Sequence, residues 1–167
     1  YLLKSVVISG RPVLMVGLPG TAKTVTVQHY FNSLNEDKSV SLTINMSSRT
    51  SGVDVRTSIE DSTDKRSGKI YGPAMGKQLY CFIDDLNMPF VDTYGTQQPI
   101  ALLLFLISRN FMYDYKKDLD VRTYRDMNYI GAMGPPGGGR NPVHPRLVQK
   151  FSVFNMTPPT EMVLGNI

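Results

Sequence analysis

Gly17-Leu-Pro-Gly-Thr-Ala-Lys-Thr24 is the stretch whose reading decides the fold. The apolar run Val13 to Val16 before it reads as a short strand, entered after the turn signal Gly10-Arg-Pro12. The segment from about Lys23 to Ser33 after it reads as a helix. A strand, a small-residue loop ending in Lys-Thr and a helix form the context required by the phosphate-binding pattern G-x-x-x-x-G-K-(S/T). Small residues let the backbone curl so that successive N–H groups face inward, and the helix N-terminus adds partial positive charge. Gly17, Leu18, Pro19, Gly20, Thr21, Ala22, Lys23 and Thr24 are therefore the candidate phosphate-binding residues. Ala22 departs from the pattern, which has its last glycine there. If that residue needs positive φ, alanine carries a steric cost that glycine does not; if φ is negative, the methyl group is easily housed.

Working outward, Leu79 to Ile83 is continuously apolar, as expected of a strand buried on both faces of a parallel sheet, and Asp84-Asp85 follows directly. A carboxylate at the C-terminal end of such a strand stands where a doubly wound sheet gathers its ligand groups. Lys23 offers an ammonium to outer phosphates, while Thr24 and Asp84 are the candidate Mg²⁺ pair, the site expected for ATP or ADP with Mg²⁺. Asp85 is placed to orient or deprotonate an attacking water. Further strands are expected over Val40 to Met46, Tyr129 to Met133 and Phe151 to Phe154. Helices are expected over Ser51 to Ser62, with Ser51 as N-cap, over Gln97 to Arg109 and over Pro145 to Lys150, and a hairpin over Phe111 to Arg125. Strands alternating with helices predict an α/β fold with a mainly parallel sheet, in one domain without internal repeats.

Composition narrows the class. The chain has 167 residues, 41% hydrophobic and 19% charged, as in a folded globular domain. Its net charge of +4 is spread over single residues and pairs such as Lys65-Arg66 and Lys116-Lys117. No stripe or run marks a nucleic-acid footprint, and no direct nucleic-acid partner is expected. The longest apolar run, Ile100 to Ile107, is too short for a membrane span, so no membrane partner is expected. The single Cys81, with His29 and His144 far apart, gives neither an internal disulfide nor metal-ligand spacing. A reducing, cytoplasmic setting without a secretory leader is the expectation. The opening Tyr1-Leu-Leu-Lys reads as part of a helix, and the chain as a piece of a larger protein.

Longer strings carry a family resemblance. Ile44-Asn-Met-Ser-Ser-Arg-Thr50, Tyr71-Gly-Pro-Ala-Met-Gly-Lys77, Asp84-Asp-Leu-Asn-Met-Pro89, Tyr94-Gly-Thr-Gln-Gln-Pro-Ile100 and Gly131-Ala-Met-Gly-Pro-Pro-Gly-Gly-Gly-Arg-Asn-Pro142 resemble the axonemal dynein heavy chains, specifically the third of their six AAA+ modules. The likeness runs from about Arg11 to Pro158. It implies a P-loop NTPase fold: an AAA+ large subdomain with a five-stranded parallel sheet in the order 5-1-4-3-2, flanked by helices, with hairpin insertions near Ile70 to Gln78 and Phe111 to Arg125. Residues 1–167 then form one large subdomain whose small helical companion, with its sensor arginine, lies beyond Ile167.

The resemblance also implies a regulatory ATP site that gates microtubule release in a ciliary motor. Its implied partners are neighbouring modules of the same heavy chain, the microtubule through the intact motor, and dynein intermediate and light chains. Its implied location is the cytoskeleton of the ciliary or flagellar axoneme. Asn45 matches the family's polar switch residue, and Arg146 resembles the arginine finger that reaches an adjacent module's nucleotide. With Asp85 these are the residues implied in catalysis. AAA+ ATPases usually carry glutamate at position 85, and a base about 1 Å out of place costs roughly 100-fold in rate. Gly134 stands where many relatives have an asparagine sensor. Slow hydrolysis and none both remain open. Two other readings stay beside this one: a structural ring segment that binds nothing, and an AAA+ ATPase acting on nucleic acid.

Overall fold

The computed structural model describes residues 1–114 and 119–158. In chain order its elements are α1 (Leu2–Ile8), β1 (Val13–Gly17), α2 (Lys23–Asn32), β2 (Ser39–Asn45), α3 (Gly52–Asp61), β3 (Asp64–Ser67) and β4 (Ile70–Gly72). There follow β5 (Gln78–Asp84), α4 (Gln98–Arg109), β6 (Phe111–Asp114), β7 (Asp120–Tyr124), β8 (Met127–Met133), α5 (Pro145–Val148) and β9 (Ser152–Met156). Each element expected from the apolar periodicity is present, with ends moved by one or two residues. Residues 115–118, including Lys116 and Lys117, lie outside the described residues.

The main sheet has the order β2-β5-β8-β1-β9, and every pairing in it is parallel. With only these five strands numbered, it reads 5-1-4-3-2 from the β9 edge; the labels differ because four insertion strands intervene. Its central strands are apolar on both sides because helices cover both faces. Val13, Met15, Phe82, Ile130 and Ala132 pack with Leu3 and Val7 of α1 and Val27 and Tyr30 of α2. The opposite face sets Leu14, Cys81, Ile83 and Tyr129 against residues from α3, α4 and α5. Gly131 in β8 gives Leu14 its place, since a β-carbon there would lie 2.9 Å from Leu14 Cδ1 and that buried side chain would have to shift.

The helix ends follow local chemistry. Ser51 Oγ accepts from the Asp54 N–H at 3.2 Å, and Asp54 Oδ2 accepts from the Ser51 N–H at 2.8 Å, a reciprocal capping box opening α3. These bonds from Ser51, its backbone N–H first, hold the Asp54 carboxyl below its ordinary range. Pro99 sits in the first turn of α4, where a missing N–H costs nothing, and Asn110 ends it in the left-handed region.

The first insertion departs from expectation. The hairpin lies at Asp64–Gly72 instead of near Ile70 to Gln78, turning at Gly68 with φ +55°. Pro73 accounts for the shift: it has no N–H to donate and ends β4. β4 also pairs in parallel with β7, so the two hairpins join into a second sheet of order β3-β4-β7-β6. Arg122 fastens this sheet to the rest. It donates from Nε to Asp114 at 2.9 Å, lies 3.3 Å from Glu60 at the end of α3, and stacks 4.9 Å from the Tyr71 ring centroid.

Burial in the sheet pushes the Cys81 thiol up to about 12. A thiolate reagent at pH 8 is therefore expected to leave Cys81 unmodified in the native protein and to label it only as the sheet unfolds in urea. Rapid native labelling, with the circular dichroism unchanged, would contradict the placement of β5.

Candidate nucleotide site

Parallel register brings Gly17, Asn45, Asp84, Met133 and Met156 to one edge of the main sheet. The 17–24 loop leaves that edge between β1 and α2. Gly17 has no room for a side chain: a β-carbon would lie 2.4 Å from the Met156 carbonyl oxygen and 2.9 Å from Thr21 Oγ1. Gly20 turns the loop at φ +82° with open space beside it. Thr21 is buried and donates to the Leu18 carbonyl at 2.8 Å, closing the curl from within. Leu18, Pro19 and Gly20 are exposed at its rim.

Ala22 settles the alternative left open by the sequence. It lies at φ 58°, ψ 25°, in the left-handed region, so the steric cost is present, of order 1–2 kcal/mol. As N-cap of α2 it supplies no side-chain hydrogen bond, and the first turn holds no acidic residue. The positive end of this ten-residue helix thus lacks any carboxylate or hydroxyl cap of its own.

Two side chains from that first turn face the strand end. Lys23 Nζ donates to the carbonyls of Gly17 and Leu18, both at 2.8 Å, and reaches Thr21 Oγ1 at 3.3 Å. Desolvation lowers its pKa; Asp84 and then Asp85 act in the opposite sense, and Arg140 adds to the lowering. Thr24 Oγ1 donates to Asp84 Oδ2 at 2.6 Å, so a hydroxyl on α2 and a carboxylate on β5 meet directly. Hard oxygen donors of this kind suit Mg²⁺, and an uncapped helix end with a neighbouring ammonium suits phosphate. The residues present fit both groups.

Asp85 is about half exposed and lies at φ 52°, another left-handed residue, with its N–H donating to Asp84 Oδ1 at 3.0 Å. Aspartate tolerates that backbone because its short polar side chain can bond locally. Asn45 stands in register with Asp84 on the next strand and is exposed; among the described residues its side chain makes no hydrogen bond. Arg146 is exposed on α5, whose Leu147 packs into the core on the face opposite α2. Lys23, Thr24, Asp84 and Asp85 therefore come together, Asn45 lies at the neighbouring strand end, and Arg146 stands apart from them.

Several residues that matter here escaped the sequence reading. Arg140 Nη2 lies 3.8 Å from Asp85 Oδ1. Asn87 Nδ2 donates to the Gly134 carbonyl at 2.8 Å, while Asn141 Nδ2 and Gln97 Nε2 both donate to the Pro89 carbonyl, at 2.9 and 2.8 Å. The signal was side-chain amides set inside two otherwise glycine- and proline-rich loops, 85–97 and 134–144.

Known proteins share much of this sequence. The family model for the P-loop containing dynein motor region matches residues 1–159. The chain is 53% identical over 167 residues to the dynein-1-alpha heavy chain of the flagellar inner arm I1 complex from Chlamydomonas reinhardtii, covering 100% of this chain and 4% of that protein. It is 47% identical over 161 residues to dynein axonemal heavy chain 10 of Homo sapiens, covering 96% and 4%. It is 35% identical over 158 residues to the gamma chain of the flagellar outer arm of C. reinhardtii, covering 94% and 4%.

Ala22→Gly is expected to stabilise the protein by about 0.5–1 kcal/mol, the left-handed relief less the entropy glycine adds to the unfolded chain. A urea titration measures it. A lower midpoint for the variant would show that the loop does not strain Ala22.

Proposed function

This chain belongs to the family of P-loop-containing dynein motor regions, and on that premise we propose that it is an ATP-binding module of an axonemal dynein motor ring. The observation that carries the reading is the 2.6 Å contact between Thr24 on α2 and Asp84 on β5, beside the Lys23 ammonium and an uncapped helix end. In this reading the amides of 17–24 and Lys23 bind the phosphates, and Thr24 and Asp84 hold Mg²⁺. The metal, when bound, neutralises charge on the phosphate oxygens. Asp85 orients water, Asn45 holds that carboxylate in check from the adjoining strand, and Arg146, free on the surface, serves a neighbouring module's nucleotide.

The role proposed is that of the third, regulatory module, gating the motor cycle with slow turnover or none. Two features support slowness: the short Asp85 and the lack of a side chain at Gly134. Residues 1–167 are proposed as one AAA+ large subdomain of a far longer protein. The relatives named above are flagellar and axonemal dynein chains. We extend their setting to this chain: the ciliary cytoskeleton, ring neighbours, microtubules through the whole motor, and associated intermediate and light chains. A second reading, a ring segment that binds no nucleotide, draws on the strained Ala22 and on Lys23 bonding its own loop carbonyls.

Saturating Mg·ATP, at about 100 times its Kd, is expected to stabilise the wild type by about 2.7 kcal/mol and to leave Lys23→Ala almost unmoved. Thermal melts of both proteins with and without nucleotide separate the readings: equal melting temperatures throughout favour the structural segment. Steady-state ATPase of this chain alone is expected to be negligible, since in this reading the arginine finger comes from a neighbouring module. Turnover of about 1 per second or more would contradict that.

A further inference from the structure

Gly137-Gly-Gly-Arg140 forms a tight reversal. Gly137 and Arg140 exchange both backbone hydrogen bonds, at 3.0 and 3.1 Å, with Gly138 at φ +57° and Gly139 at φ +85°. Two consecutive positive φ values define a type I′ turn, which needs residues such as these glycines. The reversal lays Arg140 back over Gly134. A β-carbon on Gly134 would lie 2.7 Å from Arg140 Nε and 2.9 Å from its Cδ. A side chain at 134 would push the Arg140 side chain out of this position, so the bare Gly134 leaves the arginine its place.

The arginine is aimed by its anchors. Asn87 holds the Gly134 carbonyl, the Asn141 N–H donates to the Asn87 carbonyl at 2.9 Å, and the Asn141 side chain holds Pro89. These bonds fix the loop after β8 to the loop after β5, which begins at Asp85. The guanidinium then faces Asp85 at 3.8 Å, beyond hydrogen-bond length, and shares an electrostatic neighbourhood with Lys23. Its Nε is buried with no hydrogen-bond partner among the described residues. The Arg140 fork is thus poor in acceptors and close enough to Lys23 to lower that ammonium's pKa.

We propose that Arg140 contacts the outermost phosphate of a nucleoside triphosphate bound in the same chain, in the place that Gly134 leaves open. The proposal rests on the nucleotide reading above and adds the residue that tells triphosphate from diphosphate. A guanidinium forks onto two oxygens of a phosphate, and such charge-assisted bonds are the strong ones. Engaging phosphate draws Arg140 from Asp85, so arrival of the third phosphate also frees the carboxylate that orients water.

The test uses the full-length chain that carries this segment, with a biotinylated acyl-phosphate derivative of ADP that acylates amines near bound phosphates. Mass spectrometry of the Lys23 peptide reads labelling at this one site, and free ATP or ADP competes. In the wild type both nucleotides are expected to protect Lys23. In Arg140→Ala the ATP concentration for half-protection is expected to rise about tenfold, while that for ADP stays within about twofold. An unchanged ATP-to-ADP ratio, with protection intact, overturns the role of Arg140 and leaves the nucleotide reading standing. Failure of either nucleotide to protect the wild type overturns both. The same criterion applies to Arg140→Gln, which keeps most of the stem over Gly134 and removes the charge.

Discussion

The hydrogen bond from Thr24 to Asp84 depends on the parallel register of three strands. β1 and β5 are not neighbours; β8 lies between them, pairing Leu14 with Gly131 and Ile83 with Gly131. That shared partner aligns the ends of β1 and β5, so a helix starting after Gly17 meets a carboxylate following Ile83. A slip of one residue in either pairing would invert every side chain on the strand and carry Asp84 away from the helix. Gly131, the partner common to both pairings, thus helps to set the site although no ligand group belongs to it.

Local chemistry made one half of this arrangement legible in the sequence. The 17–24 loop between β1 and α2, Asp84 at the end of a buried strand, and the Ser51 cap could each be placed from a few neighbouring residues, and each stands in that position. What could not be read depends on partners far apart in the chain. Nothing around Ile70 announces that β4 will pair in parallel with β7, a contact between segments some fifty residues apart. Arg140 was hidden for a related reason. Its neighbourhood reads as a flexible glycine loop, and only the turn geometry and the amides of Asn87 and Asn141 show that the glycines aim a side chain.

Two of the five described non-glycine residues at positive φ stand at this end of the sheet, while Asn110, Leu119 and Asp126 lie elsewhere. Ala22 opens α2 and Asp85 closes β5. Each costs on the order of 1–2 kcal/mol and persists only where its surroundings overdetermine it. For Asp85 those surroundings are visible: its N–H is tied to Asp84, Leu86 donates to the Ala132 carbonyl, and Met88 folds back to the Asp85 carbonyl. For Ala22 the Thr26 N–H and hydroxyl both bond its carbonyl, at 2.9 and 2.7 Å. The strain is therefore held by bonds to the neighbouring strand and helix as well as within the loop, which keeps the acidic pair and the helix end in place.

The amide network gives a physical reason why a site of this kind can answer to its neighbours. Asn141 fixes one end of a short segment that passes through Val143 and His144, whose ring nitrogen caps α5, to the exposed Arg146. Arg140, at the other end, lies beside Asp85. On the proposed reading, one end of this segment meets the nucleotide of its own module and the other meets a neighbour's. The segment has little freedom to absorb a shift, because Leu147 is locked in the core and Asn141 is bonded at backbone and side chain. A backbone displacement at either end of the segment would then be passed along it or break those bonds, which is what coupling two sites through a packed element requires.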